Sequence, residues 1–395
     1  MAARRHPAGP GLEDLPVSVL AACLAHLPAK ERLTDVCLAS KDLHAVCHSP
    51  ELLREVRVKL RGPNFAVWGQ TLLLQARSLA AWLRRHGGHV RSLQLLLRPW
   101  GSESQEDRHG IALAVLDCLA ACTELQRLRI EAGGGAASGS APGVQLRGLL
   151  FAATWKLPGL RQHLQHASLY GGRWDWSSPS DDALPKGIQR LSSLQSLQLD
   201  QMTLPPGVRL PPSLTRLDLS RLYTPKRLPP ELASLPALRR LWLWDVHLQD
   251  ALLPAMEGLT RLDLWGATPL PPNLASLPHL SWLGFVAYRY PFEEWEARDP
   301  LFCIPGLPSL RHLSTLRICT CADWAVEEDW AAFAAWAGAH PALRRLRFLL
   351  RGSSSEGPDE LHAKIGSLRQ RCPALDIEQV VAQPWQDYWE VPGDE

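Results

Sequence analysis

Apolar residues recur along this chain in one six-residue spacing, L-x-x-L-x-L. It reads Leu194-Leu197-Leu199, Leu214-Leu217-Leu219, Leu238-Leu241-Leu243, Leu259-Leu262-Leu264 and Leu280-Leu283-Phe285. Steps of about two dozen residues between these hexamers fit one supersecondary unit per step, a short strand with a return segment. Alternation along a strand turns the leucines to one side and the intervening residues to the other. A single unit cannot bury its own leucines, so neighbouring units are predicted to stack and share one apolar core. The expected product is a curved, open surface, which suits gripping a macromolecule better than catalysis.

Internal duplication strengthens this reading. Leu214-Thr-Arg-Leu-Asp-Leu219 recurs letter for letter at Leu259 to Leu264, and the block from Leu228 to Leu238 returns in related form from Leu270 to Leu280. The hexamer also appears at wider spacing, at Val90-Leu93-Leu95, Leu125-Leu128-Ile130, Leu313-Leu316-Ile318 and Leu343-Leu346-Phe348, with weaker matches at Leu164-Ala167-Leu169 and Cys372-Leu375-Ile377. Helical periodicity precedes several of these, as in Leu79, Trp82 and Leu83, or Trp330, Phe333 and Trp336. Long units are therefore predicted to carry a true helix on the convex side. Pro-Pro and Leu-Pro turns replace it in the central ones, because proline removes a donor that a helix interior needs. The period and pattern are those of a leucine-rich-repeat solenoid, an α/β fold with a parallel sheet on its concave side. The asparagine usual three residues after the last leucine is replaced by Met202, Leu222, Val246 and Ala267.

Between the leucines, the outward positions line up in rows. Arg216, Arg240 and Arg261 form one, continued by Trp282; Asp218, Trp242 and Asp263 form the next; Trp244 and Trp265 form a third. Arginine and tryptophan dominate interface hot spots, so Arg216, Arg240, Trp242, Trp244, Arg261, Trp265 and Trp282 are the predicted substrate contacts. Stacked cations and rings can also simply satisfy one another.

Residues 12–58 do not follow the repeat. Leu20, Leu24 and Leu27 share one helical face that Pro28 ends; Leu33, Val36 and Cys37 mark a second helix, and Leu43, Val46 and Cys47 a third. So small a module buries little core alone and needs a partner. Leu15-Pro-Val-Ser-Val-Leu-Ala-Ala-Cys-Leu-Ala-His-Leu-Pro28, Leu38-Ala-Ser-Lys-Asp-Leu43 and Ser49-Pro-Glu-Leu-Leu53 resemble the opening, middle and closing stretches of an F-box, over about forty residues. The family's tryptophans are replaced near Leu43 and Leu53. The resemblance implies a three-helix module that docks on the Skp-type adaptor of a cullin–RING ubiquitin ligase while the following repeats hold a protein substrate. Leu15, Pro16, Leu20, Leu24, Leu27, Pro28, Leu33, Val36 and Leu38 would then carry the adaptor contact or the helical core beneath it. A plain helical cap on the solenoid is the competing reading.

Composition trims the remaining classes. A net charge of +2 from 42 basic and 40 acidic residues gives no field for nucleic acid or membrane. No apolar run spans a bilayer and no secretory signal opens the chain, while nine scattered cysteines suit a reducing compartment, so cytosol or nucleus is expected. Cys23, Cys37 and Cys47 read as packing residues beside the leucine faces rather than zinc ligands, and Gly133 to Gly143 lacks the ending of a phosphate loop. No catalytic motif, cofactor or metal is predicted. The expected layout is a tail over 1–11, an F-box-like module over 12–58, repeats over 59–380 with a Gly/Ser-rich loop at 132–143, and a tail over 381–395. The leading functional expectation is a non-catalytic substrate-recognition subunit of an SCF-type ligase. The rival is a stand-alone repeat scaffold, and a regulator of another enzyme is the third.

Overall fold

The computed structural model describes residues 16–27, 39–60, 68–97, 105–132, 157–170, 184, 187–200, 202, 204, 207–220, 228–244, 246, 253–265, 271, 273–287, 307–320, 327–351 and 358–382. Two compact units make up the chain, residues 1–194 and 195–395.

The first unit opens with short helices at Val17–Ala25, Lys41–Cys47 and Pro50–Leu53. Ser40 caps the second of these by accepting the Leu43 N–H at 3.1 Å, which satisfies a donor the helix leaves open. Leu20, Leu24, Val46, Cys47 and Leu52 form a small core, with Ala21 and Leu43 packed against it. Leu20 and Leu24 thus lie within the module. Leu15, Pro28, Leu33, Val36, Cys37 and Leu38 fall outside the described residues. Cys23 is exposed, contrary to its expected packing role: it stands at the margin of the face that carries Leu20 and Leu24 and is not among the core residues.

Strand β1, Glu55–Leu60, follows at once and so begins inside the span expected to be helical. It pairs in parallel with β2, Ser92–Leu97, matching Val56 to Leu93 and Val58 to Leu95. Leu53-Val56-Val58 is itself the repeat hexamer, with valines in the strand. β3, Arg127–Ala132, and β4, His166–Tyr170, add in order and in parallel. Helices Trp68–His86 and Gln105–Ala121 return the chain before β2 and β3, as the helical periodicity predicts.

The second unit carries β5 to β12: Ser196–Asp200, Arg216–Ser220, Arg240–Trp244, Arg261–Trp265, Trp282–Ala287, Thr315–Thr320, Arg345–Arg351 and Asp376–Ala382. Each pairs in parallel with the next in sequence. Leu197, Leu217, Leu241, Leu262, Leu283, Leu316, Leu346 and Ile377 stand in one register row, and all are buried. Burying such a side chain is worth about 1.5–3 kcal/mol, and the row shares that gain across every strand. The central returns are single 3-10 turns, Pro230–Ser234, Leu274–Ser276 and Leu307–Ser309, where proline forbids a longer helix. Among the described residues of this unit, full helices come later, at Glu327–Ala339 and Pro358–Arg371.

Polar side chains tie the repeats together at the starts of the strands. The hydroxyls of Thr215, Thr260, Ser281 and Ser314 donate to the carbonyls of Gln195, Arg239, Thr260 and Ser281 in the preceding repeats, at 3.0–3.1 Å. Each of those carbonyls also accepts two backbone N–H groups, as Thr260 does from Ser281 and Trp282. At the position where asparagine is usual, Met202 and Val246 are buried in the core instead. Asn273 adds a two-point link of another kind. Its Oδ1 accepts the Leu253 N–H at 2.9 Å while its Nδ2 donates to the Leu253 carbonyl at 2.7 Å.

Among the described residues no helix is long and apolar enough to cross a membrane, and no cluster of His, Cys, Asp and Glu is arranged to hold a metal ion.

Candidate protein-binding face

The strand faces turned away from the leucines in the second unit bring the expected residues into register. Arg216, Arg240, Arg261 and Trp282 are neighbours on successive strands, and Asp218, Trp242, Asp263 and Gly284 form the adjoining row. Trp244 and Trp265 are paired in the third row. All seven expected substrate contacts therefore lie on one face.

Their surroundings differ from row to row. Arg216 donates through Nε to both carboxylate oxygens of Asp218, at 3.1 and 3.0 Å, two residues along its own strand. Burial pushes the Asp218 carboxyl up, and Arg216 pulls against that shift. The identical hexamer on β8 repeats the pair, with Arg261 Nε donating to Asp263 Oδ2 at 2.8 Å. Trp282 satisfies the other oxygen, its Nε1 donating to Asp263 Oδ1 at 3.2 Å. Two guanidinium groups lie over the Trp282 ring, Arg261 at 4.3 Å and Arg347 at 5.8 Å from its centroid. Gly284 makes this possible, since a Cβ there would overlap Asp263 Oδ1.

Trp265 corrects an expectation. It is only 8% exposed and clusters with Cys319 and Leu349, which stand on β10 and β11, while Trp242 and Trp244 pack against the group. An aromatic ring on the outward side of β8 spans β9 and reaches two strands further, so a side chain expected to face the partner is half of a second small core. Trp242 and Trp244 stay half-buried, with ring centroids 6.0 Å apart. Arg240 is exposed.

Sequence reasoning missed Arg317 and Arg347, which continue the Asp263–Gly284 row onto β10 and β11. The signal was present, because the hexamers at Leu313 and Leu343 place 317 between Leu316 and Ile318 and 347 between Leu346 and Phe348, just as 263 lies between Leu262 and Leu264. Arg347 is ion-paired with Glu378 at 2.6 Å.

In the first unit, Pro16 starts the Val17–Ala25 helix and its carbonyl accepts the N–H groups of Val19 and Leu20. Leu20 and Leu24 point into the module, whereas Val17, Val19 and Leu27 are exposed at 64%, 42% and 36%. His48 packs between His44 and His86, with ring centroids 4.4 and 5.2 Å apart. Burial, with His48 second, draws the His86 imidazole below its ordinary value.

No protein-family model matches the chain, and no curated protein sequence is similar to it. Among solved structures, an internalin C2 from Listeria monocytogenes is similar over 50% of this chain and 76% of its own, at 18% identity and a TM-score of 0.31. The Arabidopsis receptor kinase HAESA, in complex with the peptide hormone IDA and the co-receptor SERK1, is similar over 51% of this chain and 36% of its own, at 16% identity and a TM-score of 0.27.

Proposed function

We propose that this chain is a non-catalytic recruiting protein: its N-terminal helical module docks on a Skp-type adaptor and cullin, and its repeats hold the protein to be ubiquitinated. The observation that carries the reading is the split on the first helix. Leu20 and Leu24 close the module's own core, while Val17, Val19 and Leu27 stay exposed on and just beyond the same helix, beside its Leu-Pro start. Apolar side chains of this size left in water favour a partner that covers them. The outward face of the second unit, with Arg216, Arg240, Trp242, Trp244, Arg261 and Trp282, is the matching place for a substrate. Holding two proteins together supplies proximity and requires no bond-making residue. The expected setting is cytosol or nucleus.

Co-purification tests this. Val17→Asp with Val19→Asp should keep the module folded, since both side chains are exposed, and should lose the adaptor and cullin that the wild type recovers. Leu20→Asp would be a poor choice, because it places a charge in the module's core. Failure of the wild type to recover either partner refutes the ligase role. A second reading then stands, a repeat scaffold with a helical cap. It draws on β1 following the Pro50–Leu53 helix directly and on the His48–His86 contact, both of which seat the module on the first repeats.

A further inference from the structure

One cation on the outward face has no hydrogen-bonded or ion-paired carboxylate. Arg261 and Trp282 together occupy both oxygens of Asp263, and Glu378 holds Arg347. Arg317 lies between these groups in the same row, and among the described residues no hydrogen bond or ion pair reaches it. Its Nε is buried without a partner. The guanidinium stacks instead on Trp265, 5.0 Å from the ring centroid.

Register explains the isolation. Of its two row neighbours, Gly284 has no side chain and Arg347 carries the same charge. The flanking positions on those strands and its own, Trp282, Thr315, Cys319, Arg345 and Leu349, bring no carboxylate. Burial draws the Arg317 pKa below its ordinary value, with Asp263 opposing, as expected of a cation partly withdrawn from water. A half-buried guanidinium whose Nε lacks an acceptor is unfavourable in the free protein, and an incoming anion that meets its open edge offsets that cost.

The local balance selects the anion. Arg261, Arg317 and Arg347 face Asp263 and Glu378, which leaves one positive charge. A single carboxylate neutralises it, whereas a doubly charged phosphate monoester would place excess negative charge beside Asp263.

We infer that Arg317, backed by Trp265 and bordered by Gly284, is the anchor for a carboxylate side chain of an extended acidic segment in the bound protein. The inference rests on the outward face being the substrate surface, and it holds whether or not the helical module recruits an adaptor. The guanidinium would donate to the carboxylate from the edge not stacked on Trp265, a charge-assisted geometry in which lysine is a poorer substitute.

The test uses the full chain and a fluorescein-labelled Gly-Glu repeat peptide, read by anisotropy at low salt, beside its Gly-Gln counterpart and a Gly-phosphoserine version. The Glu peptide should bind at least about tenfold tighter than the Gln peptide, and Arg317→Gln should erase that difference. Arg317→Lys should restore part of it. Arg345→Gln, which removes an exposed cation paired with Asp376, should change it less than about twofold. The thermal transition of Arg317→Gln should change little, because the side chain has no hydrogen bond or ion pair to lose. Adaptor recovery should be unaffected, which separates this result from a failure of the ligase reading. Equal affinity for the Glu and Gln peptides, no binding of the Glu peptide, full binding by Arg317→Gln, or tighter binding of the phosphoserine peptide each overturns the assignment.

Discussion

Replacing Gly284 with alanine probes how tightly the outward face is built. The added methyl would overlap Asp263 Oδ1, so the Asp263 carboxylate must swing away. Asp263 is 4% exposed, and its oxygens are held by Arg261 at 2.8 Å and Trp282 at 3.2 Å. Moving it breaks the Trp282 bond outright, at a cost of about 1.5–3 kcal/mol for a hydrogen bond to a buried charge, and loosens the Arg261 bond. Stiffening the unfolded chain returns about 0.4–1 kcal/mol. The net effect expected is a loss of about 2 kcal/mol. In an Asp263→Ala background nothing is displaced, and the same substitution should be neutral or slightly stabilising. Chemical denaturation of the four chains, followed by far-UV circular dichroism, gives a coupling energy expected near 2 kcal/mol, well above the few tenths by which independent sites depart from additivity. A Gly284→Ala chain as stable as wild type, or one equally destabilised in both backgrounds, would refute the packing argument.

Three further outcomes follow from particular contacts. Trp265→Ala should lower stability by about 3 kcal/mol because the ring is buried against Cys319 and Leu349, whereas Arg240→Ala should change it little; denaturation midpoints decide this. His340 is buried, Nε2 donating to the Leu310 carbonyl at 3.1 Å and Nδ1 accepting the Leu343 N–H at 3.1 Å, so the fold needs the neutral ring. Burial lowers its pKa from 6.5, so its contribution is present above 6.5 and is lost as pH falls through the folded value; the thermal transition should drop on acidification, and His340→Asn should flatten that slope. Cys118 and Cys122, each pushed up to about 12 chiefly by burial, should resist iodoacetamide in the native protein while exposed Cys23 reacts, as site-resolved mass spectrometry would show.

The leucine hexamer made most strands legible because it sets both period and face, and a parallel stack repeats one register without further information. β1 escaped because valines replace two of its leucines and because its neighbours read as the end of a helical module. The rows of the candidate face were legible for the same reason as the strands. What covers each side chain was not. Trp265 is buried by residues from β10 and β11, and the alternation that places it on the outward side says nothing about which distant side chains a large ring will reach. The isolation of Arg317 depended likewise on finding a glycine on one side and an arginine on the other, which only cross-strand register reveals.

The doubled hexamer carries a history as well as a fold. The two copies stand two repeats apart, Leu217 in one matching Leu262 in the other. Comparing them position by position separates what was kept from what was altered after the duplication. The leucines and the Arg–Asp pair survive in both, as Arg216 with Asp218 and Arg261 with Asp263. On the strand that follows each copy, Arg240 corresponds to Trp282 and Trp242 to Gly284. The aromatic ring stands two residues earlier on the second of these strands, and a glycine occupies the place that Trp242 has on the first. Divergence has thus fallen mostly on the outward positions, while the inward ones stayed apolar, with Phe285 in place of Leu243. A duplicated pair of repeats can in this way acquire a new surface without having to relearn how to stack.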